Sequence, residues 1–344
     1  MRAFARFREH FEKGSSVNHA APPLTVIVPT YKRPDSAIRA IRSLQAQDTD
    51  VEILLVDNEA DPAMRDAIAA LNVGARLAAI WIPESRLGAH HARHAGALHA
   101  RSELLGFIDD DATFAPGWAR AYIDAFAARP EMAAASGPLA AAWEAPPPAW
   151  LKKWVEDQHS CFQYGVRDLG AELRVGPSEL FWAGNMVIRR EVLFAAGGFN
   201  PDSIGDRSVG DGESGLFDKL RDQGAVFGYV PTARANHHIP QARMNVEFLR
   251  RRMRNEGAAE AYSFFREQRG ASKFRLAATG VMWIIAAASA CAMALPLRAG
   301  RGRFTLRAQL RAARLTGRVA YAYAALRDIE LRRLILRDNW LTTP

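Results

Sequence analysis

The chain has 344 residues, 49% of them apolar, with a net charge of +8 and a pI near 9.8. That length and apolar fraction allow one large domain or two ordinary ones around a sizeable core, and exclude global disorder. The two cysteines, Cys161 and Cys291, match neither a zinc spacing nor a disulfide framework, so a reducing compartment is expected.

At the N-terminus, "MRAFARFREHFEK" sets Phe4, Phe7 and Phe11 at helical spacing among Arg2, Arg6 and Arg8. This predicts a basic amphipathic segment over residues 1–21, either seeking a charged surface or packed on its own domain. It lacks the apolar stretch of a secretory signal. From residue 22 onward, short apolar runs alternate with helical periods: "LTVIV", "VEILLVD", "LAAIWI" and "LLGFI" read as strands. The helices between and after them run through "PDSAIRAIRSLQAQ", "ADPAMRDAIAAL", "GAHHARHAGALHA" and "PGWARAYIDAF". The alternation over residues 24–139 predicts an α/β architecture, with a mostly parallel sheet covered by helices on both faces. Ligands of such sheets bind beyond the carboxyl ends of the strands, where Asp57 and Asp109 stand.

The proline-rich "WEAPPPAW" predicts a loop or crossover; "LFWAGNMVIR" and "AVFGYV" read as further strands, with the helix "SGLFDKLRDQ" between them. Residues 256–344 are expected to form a helical C-terminal region, approached by the basic helical stretch that follows Pro240. Within that region Leu276–Leu297 carries no charge, and Arg298 to Arg318 contains seven arginines and no acid. The apolar segment is long enough to span a bilayer, yet it is alanine-rich and basic on both flanks. Membrane association is therefore expected, as a span, a re-entrant helix or a helix lying in the interface plane.

Chemistry concentrates in a few places. Asp109, Asp110 and Asp111 end a strand in succession and repel one another. They are either a polar turn capping the next helix or a site for a hard divalent cation shared with a diphosphate. "GDGESGLFDKL" adds Asp211 and Glu213 ahead of a helix, and "PTARANHHIP" adds His237 and His238. "WAGNMVIRR" offers Trp182, either a sugar-stacking platform or a core aromatic, beside Gly184 and Asn185.

In order and spacing, "VIVPTYKRP", "VEILLVDN", "RLGAHHARHAGALHA", "LLGFIDDDATF", "WAGNMVIRR", "GGFN", "GDGESGLFDKL" and "VPTARANHHIP" resemble the family 2 glycosyltransferases that build bacterial surface polysaccharides. The resemblance covers roughly residues 22–255 and implies the GT-A fold, Rossmann-like, with a nucleotide-sugar donor, a UDP-sugar foremost, and inversion at the anomeric centre. It implies donor binding by Pro29, Thr30, Tyr31, Arg33, Asp57, Arg93, Asp109 and Asp110. Mg²⁺ or Mn²⁺ would be held by Asp109, Asp111 and His237, with His237 favoured over His238. Trp182, Gly184 and Asn185 would meet a glycan or lipid-linked acceptor. Where the family has adjacent Glu-Asp, this chain reads Asp-Gly-Glu; Glu213 falls at the base position and Asp211 beside it, with the two roles exchangeable on spacing alone.

A metal-dependent nucleotidyltransferase is the enzymatic alternative, but no Gly-rich triphosphate loop follows the first strand. A nucleic-acid-binding protein is disfavoured because the C-terminal arginines do not interleave with stacking aromatics. A catalytically silent membrane scaffold is a third reading. The expected setting is the cytoplasmic face of a bacterial inner membrane, with no nucleic acid as partner.

Overall fold

A computed structural model describes residues 21–156, 160–177, 179, 182–204, 207–208, 210–268, 273–297 and 303–341. The basic N-terminal segment expected over 1–21 lies, except for its last residue, outside the described residues. The first half of the chain runs β1 (Thr25–Thr30), α1 (Pro34–Gln45), β2 (Glu52–Asp57), α2 (Pro62–Leu71), β3 (Ala79–Pro83), α3 (Ala89–His99), β4 (Leu104–Ile108) and β5 (Ala112–Phe114). Then come α4 (Trp118–Ala128), β6 (Met132–Ser136), β7 (Leu139–Trp143), α5 (Ala149–Glu156), β8 (Ser160–Cys161), β9 (Val166–Arg167) and β10 (Arg174–Gly176). After these follow β11 (Asn185–Arg189), α6 (Arg190–Ala195), β12 (Ser203–Ile204), β13 (Arg207–Ser208), α7 (Gly212–Asp222), β14 (Val226–Tyr229) and β15 (Ala235–Ile239). Four helices close the chain: α8 (Val246–Glu267), α9 (Lys273–Ala294), α10 (Arg303–Arg327) and α11 (Ile329–Ile335).

The main sheet has eight strands in the order β10-β14-β6-β11-β4-β1-β2-β3. Strands β4, β1, β2 and β3 are parallel, as the strand–helix alternation requires, and β6 pairs parallel with β14. Strand β11 runs antiparallel between β4 and β6, and β10 is an antiparallel edge. Period-two alternation sends side chains to opposite faces. Val26, Val28, Ile53 and Leu55 pack under α1, α2 and α4 with Ile41, Ile68 and Trp118. Ile27, Leu54, Val56 and Phe107 pack under α3, α6 and α7 with Ala92, Leu193 and Leu216.

A second sheet, β5-β15-β7-β9-β8, grows from the end of β4. The proline-rich stretch read as a loop is one from residue 144 to 148; its first residue, Trp143, ends strand β7, which lies parallel to β15. Immediately past Asp111 the chain pairs antiparallel with β15, setting Ala112 opposite His237. A strand more than a hundred residues away is thereby laid against the acidic turn.

The expected boundary at 255 falls inside α8, which is one continuous 22-residue helix. Helix α8 packs along α10 at backbone distance: a Cβ at Gly257 would strike the Arg314 carbonyl, and one at Gly317 the Arg254 carbonyl. The C-terminal tail returns to the α/β body, where the Trp340 amide donates to Gly197 O at 2.8 Å. Among the described residues no helix is long and apolar enough to cross a membrane. Helix α9 has the length of a span, but its alanine content keeps it short of the required hydropathy.

Two predictions follow from this packing. Gly257→Val should separate α8 from α10 at a cost of at least about 2 kcal/mol, read as a fall in Tm. Gly280→Val, where a side chain meets open space, should leave Tm close to the parent. Separately, burial holds His90 down to about 2 and His94 down to about 3, against about 6.5 in the unfolded chain. Both folded values are depressed, so their stabilising contribution is present above pH 6.5 and is lost as pH falls toward 3. Each histidine should remove about 1.4 kcal/mol per pH unit across that window. Urea midpoints at pH 7.5 and pH 5 check this; equal midpoints would contradict it.

Candidate active site

The carboxyl ends of β1 and β4, strand β15, the first turn of α7 and one face of α8 enclose a cavity of about 930 Å³. This is where a parallel sheet offers a crevice to a ligand. Pro29, Thr30, Tyr31 and Arg33 line it from β1 and the following loop, Asp109, Asp110 and Asp111 from the end of β4, and Arg93 from α3. Of the other expected residues, His237, Trp182, Asp211 and Glu213 stand in its wall, and Asp57, Gly184 and Asn185 do not.

The three successive carboxylates are each answered by a different partner. Asp110 is 3% exposed; Thr30 Oγ1 donates to its Oδ2 at 2.7 Å and Arg33 Nη1 lies 3.0 Å from its Oδ1. Burial pushes its pKa up to about 6, against the pull of Arg33. It braces the turn from behind. Asp111 Oδ2 receives Arg33 Nη1 at 2.8 Å and Arg243 Nη1 at 3.0 Å. Burial works against its ionisation, but His237, Arg243 and Arg33 outweigh it and hold the carboxyl well below the usual range. Asp109 turns the other way, with Arg93 Nη2 3.6 Å from its Oδ1.

His237 is oriented by its backbone contact. Its Nδ1 lies 2.6 Å from the Tyr164 carbonyl oxygen, so Nδ1 carries the proton and donates it. Nε2 then faces Asp111 Oδ1 at 3.4 Å. Arg243 Nη1 stands 3.5 Å from the same Nε2 and 3.0 Å from Asp111 Oδ2, so a guanidinium already meets both groups. A proton or a metal ion between Nε2 and Oδ1 would complete their neutralisation. The raised His237 pKa expresses the same demand: burial lowers it, and Asp111 more than reverses this. Adjacent ligands of an octahedral Mg²⁺ or Mn²⁺ lie about 3 Å apart, so this pair fits a divalent ion. Among the described residues no three His, Cys, Asp or Glu side chains form a metal-holding group. The expected trio of Asp109, Asp111 and His237 is thus not preassembled, because Asp109 is drawn toward Arg93. A two-ligand platform completed by phosphate and water is the arrangement hard cations adopt with nucleotides.

The structure separates the other expected residues. Asp57 does not line the cavity: 2% exposed, it accepts the Glu59 and Asp61 amides at 3.0 and 2.8 Å and the Trp81 indole at 3.3 Å. These contacts close its own turn. Asn185 is fully buried, receiving Trp118 Nε1 at 2.7 Å and Tyr122 OH at 3.1 Å, and donating to Pro138 O and Ala233 O. It ties α4 to the turns after β6 and β14 and does not line the cavity. Gly184 (φ +91°) has Asp109 Oδ2 2.9 Å from where a Cβ would sit, so its service is to leave room for that carboxylate. Trp182 borders the cavity, but the Arg167 guanidinium lies over its ring, 5.6 Å from the centroid. It is not an open stacking platform.

Asp211 and Glu213 are likewise distinguished. Asp211 accepts Asn200 Nδ2 at 2.8 Å and Ser263 Oγ at 2.7 Å, joining the loop after α6 to α8. The Glu213 carboxylate has no hydrogen bond or ion pair among the described residues and lies in the cavity wall. Sequence reasoning missed Asp202, Arg243, Arg251 and Arg252, all of which line the cavity. Asp202 lies 3.5 Å from Arg93 Nη1, and burial raises its pKa to about 6 against Arg93. The available signals were Asp202 two residues past "GGFN" and Arg243 six past His237.

The family model for glycosyl transferase family 2 matches residues 25–193. The succinoglycan biosynthesis protein ExoM of Rhizobium meliloti (strain 1021) is 25% identical over 295 residues, 84% of this chain and 90% of that protein. The glucosyl-dolichyl phosphate glucuronosyltransferase of Haloferax volcanii is 26% identical over 165 residues, 47% of this chain and 51% of that one. Among solved structures, the mannosyltransferase PcManGT from Pyrobaculum calidifontis, in complex with GDP-Man and Mn²⁺, superposes with a TM-score of 0.50 at 16% identity. That superposition covers 97% of this chain and 85% of the other, and it shows the GT-A fold alone.

The buried role of Asn185 is checked by Asn185→Ala. Orphaning the Trp118 and Tyr122 donors should cost at least about 2 kcal/mol, measured by urea unfolding, with nucleotide affinity of the folded protein unchanged.

Proposed function

We propose that this chain, whose residues 25–193 match the family 2 glycosyltransferase model, transfers a sugar from a nucleotide-sugar donor, a UDP-sugar, to a hydroxyl of a glycan or lipid-linked acceptor. The transfer inverts the anomeric centre and serves surface-polysaccharide synthesis at the cytoplasmic face of the membrane. The observation that carries this reading is Glu213: a carboxylate with no partner among the described residues, in the same cavity as the acidic turn of β4. The match to ExoM supports the polysaccharide setting, and the glucuronosyltransferase match supports a lipid-linked acceptor.

The residues divide the work. Thr30, Arg33 and Asp110 fix the turn that presents Asp109 and Asp111. Asp111 and His237 would hold Mg²⁺ or Mn²⁺, with Asp109 facing the donor; Mn²⁺ accompanies GDP-Man in the PcManGT complex. Such an ion, when bound, offsets the charge of the diphosphate. Arg93, 8% exposed at its side chain, adds a fixed positive charge beside Asp109. The Glu213 carboxylate takes the proton of the acceptor hydroxyl as that oxygen bonds to the anomeric carbon. The bond from that carbon to the β-phosphate oxygen breaks, and its electron pair leaves with the nucleoside diphosphate. Inversion needs only this one displacement, so no enzyme nucleophile is required.

Glu213→Gln should lower kcat by at least about a hundredfold while leaving the donor Kd within twofold or so of the parent. Turnover near the parent rate would remove Glu213 from the base role. Asp111→Asn should abolish the dependence of nucleotide affinity on Mn²⁺, read by calorimetry with and without EDTA.

A further inference from the structure

We infer that α9 and the first turns of α10 form a docking surface for an anionic lipid bilayer, with α9 lying in the interface plane. Helix α9 packs on the protein through one narrow stripe, Trp283, Ala287, Ala290 and Ala294, at successive helical turns. Much of its remaining described surface faces solvent and is apolar: Val281, Met282, Ile284 and Ile285 are 55% to 63% exposed. No charged residue occurs between Leu276 and Leu297. A helix this apolar on its solvent side needs cover.

Charge identifies the cover. Between Lys273 and Arg327 there are ten cationic residues and no carboxylate, against +8 for the whole chain. The rest of the protein is close to neutral, so its basicity resides in this hairpin. Arg314 and Arg318 are paired with Glu260. Arg307 and Arg311 are exposed on successive turns of one face and make no ion pair among the described residues. Phe304, 78% exposed, stands one turn before Arg307 on that face. Apolar side chains flanked by unpaired arginines are complementary to a layer with an acyl interior and anionic headgroups. A second copy of the chain would bring the same positive field against itself. The inference deepens the transferase reading, because a lipid-linked acceptor is met at such a surface, and α10 is welded to the cavity-lining α8 at Gly257 and Gly317.

The test is sedimentation of the full chain with vesicles of phosphatidylcholine alone or with about 30% phosphatidylglycerol. Binding is expected to the anionic vesicles and to weaken in high salt. Val281→Glu/Ile285→Glu and Arg307→Glu/Arg311→Glu should each weaken it at least about tenfold, with Tm and nucleotide affinity unchanged. Equal binding to neutral vesicles, no binding to either, or a solution dimer that Val281→Glu/Ile285→Glu splits would each overturn the inference. Since the readout is sedimentation, its failure leaves the transferase reading standing, and loss of transferase activity leaves the surface standing.

Discussion

Three carboxylates at the end of one buried strand are tenable only if positive charge meets them from outside that strand, and this requirement organises the molecule. Arg33 comes from the loop after β1, Arg93 from α3, Arg243 from the turn before α8, and His237 from β15. Each partner lies in a different element, so the acidic turn is also where those elements are fastened together. Removing one member of such a buried set leaves an uncompensated charge, a loss of about 3–5 kcal/mol in comparable pairs. Within this set one oxygen of Asp111 and one nitrogen of His237 face each other at 3.4 Å, with Arg243 3.5 Å from that nitrogen.

The second sheet and helix α8 therefore supply part of the cavity wall. Strand β15 delivers His237 because it pairs with β5 directly after the acidic turn. Helix α8 delivers Arg251 and Arg252 to the cavity and Ser263 to Asp211 while resting on α10. A surface that held α9 and α10 at a membrane would thereby fix the orientation of the cavity's α8 wall.

Much of this was legible in the sequence. The strands through β4 and the helices α1 to α4 follow from period-two and period-3.6 patterns in long, strongly apolar segments, and the structure has them within a few residues. The acidic turn, Glu213 and His237 stood out because their residue types are costly to bury without a purpose. What escaped was long-range. Asp57 and Asn185 have side chains that suit a ligand as well as a turn or a core, and only the Asp61 amide and the Trp118 indole decide between these. The short strands β7 to β9 follow tertiary pairing and carry little pattern of their own. The limit at 255 lies within one continuous helix, because α8 is at once a cavity wall and a packing helix.

The central claim is that donor diphosphate, the Asp111–His237 pair and Glu213 meet in one place. A crystal structure of the chain with UDP and Mn²⁺, using the anomalous signal of manganese, tests it most directly. The account predicts one ion bonded to Asp111 Oδ1, His237 Nε2 and the diphosphate, with Glu213 across the cavity from it. A nucleotide bound elsewhere, or an ion that touches neither residue, would contradict it.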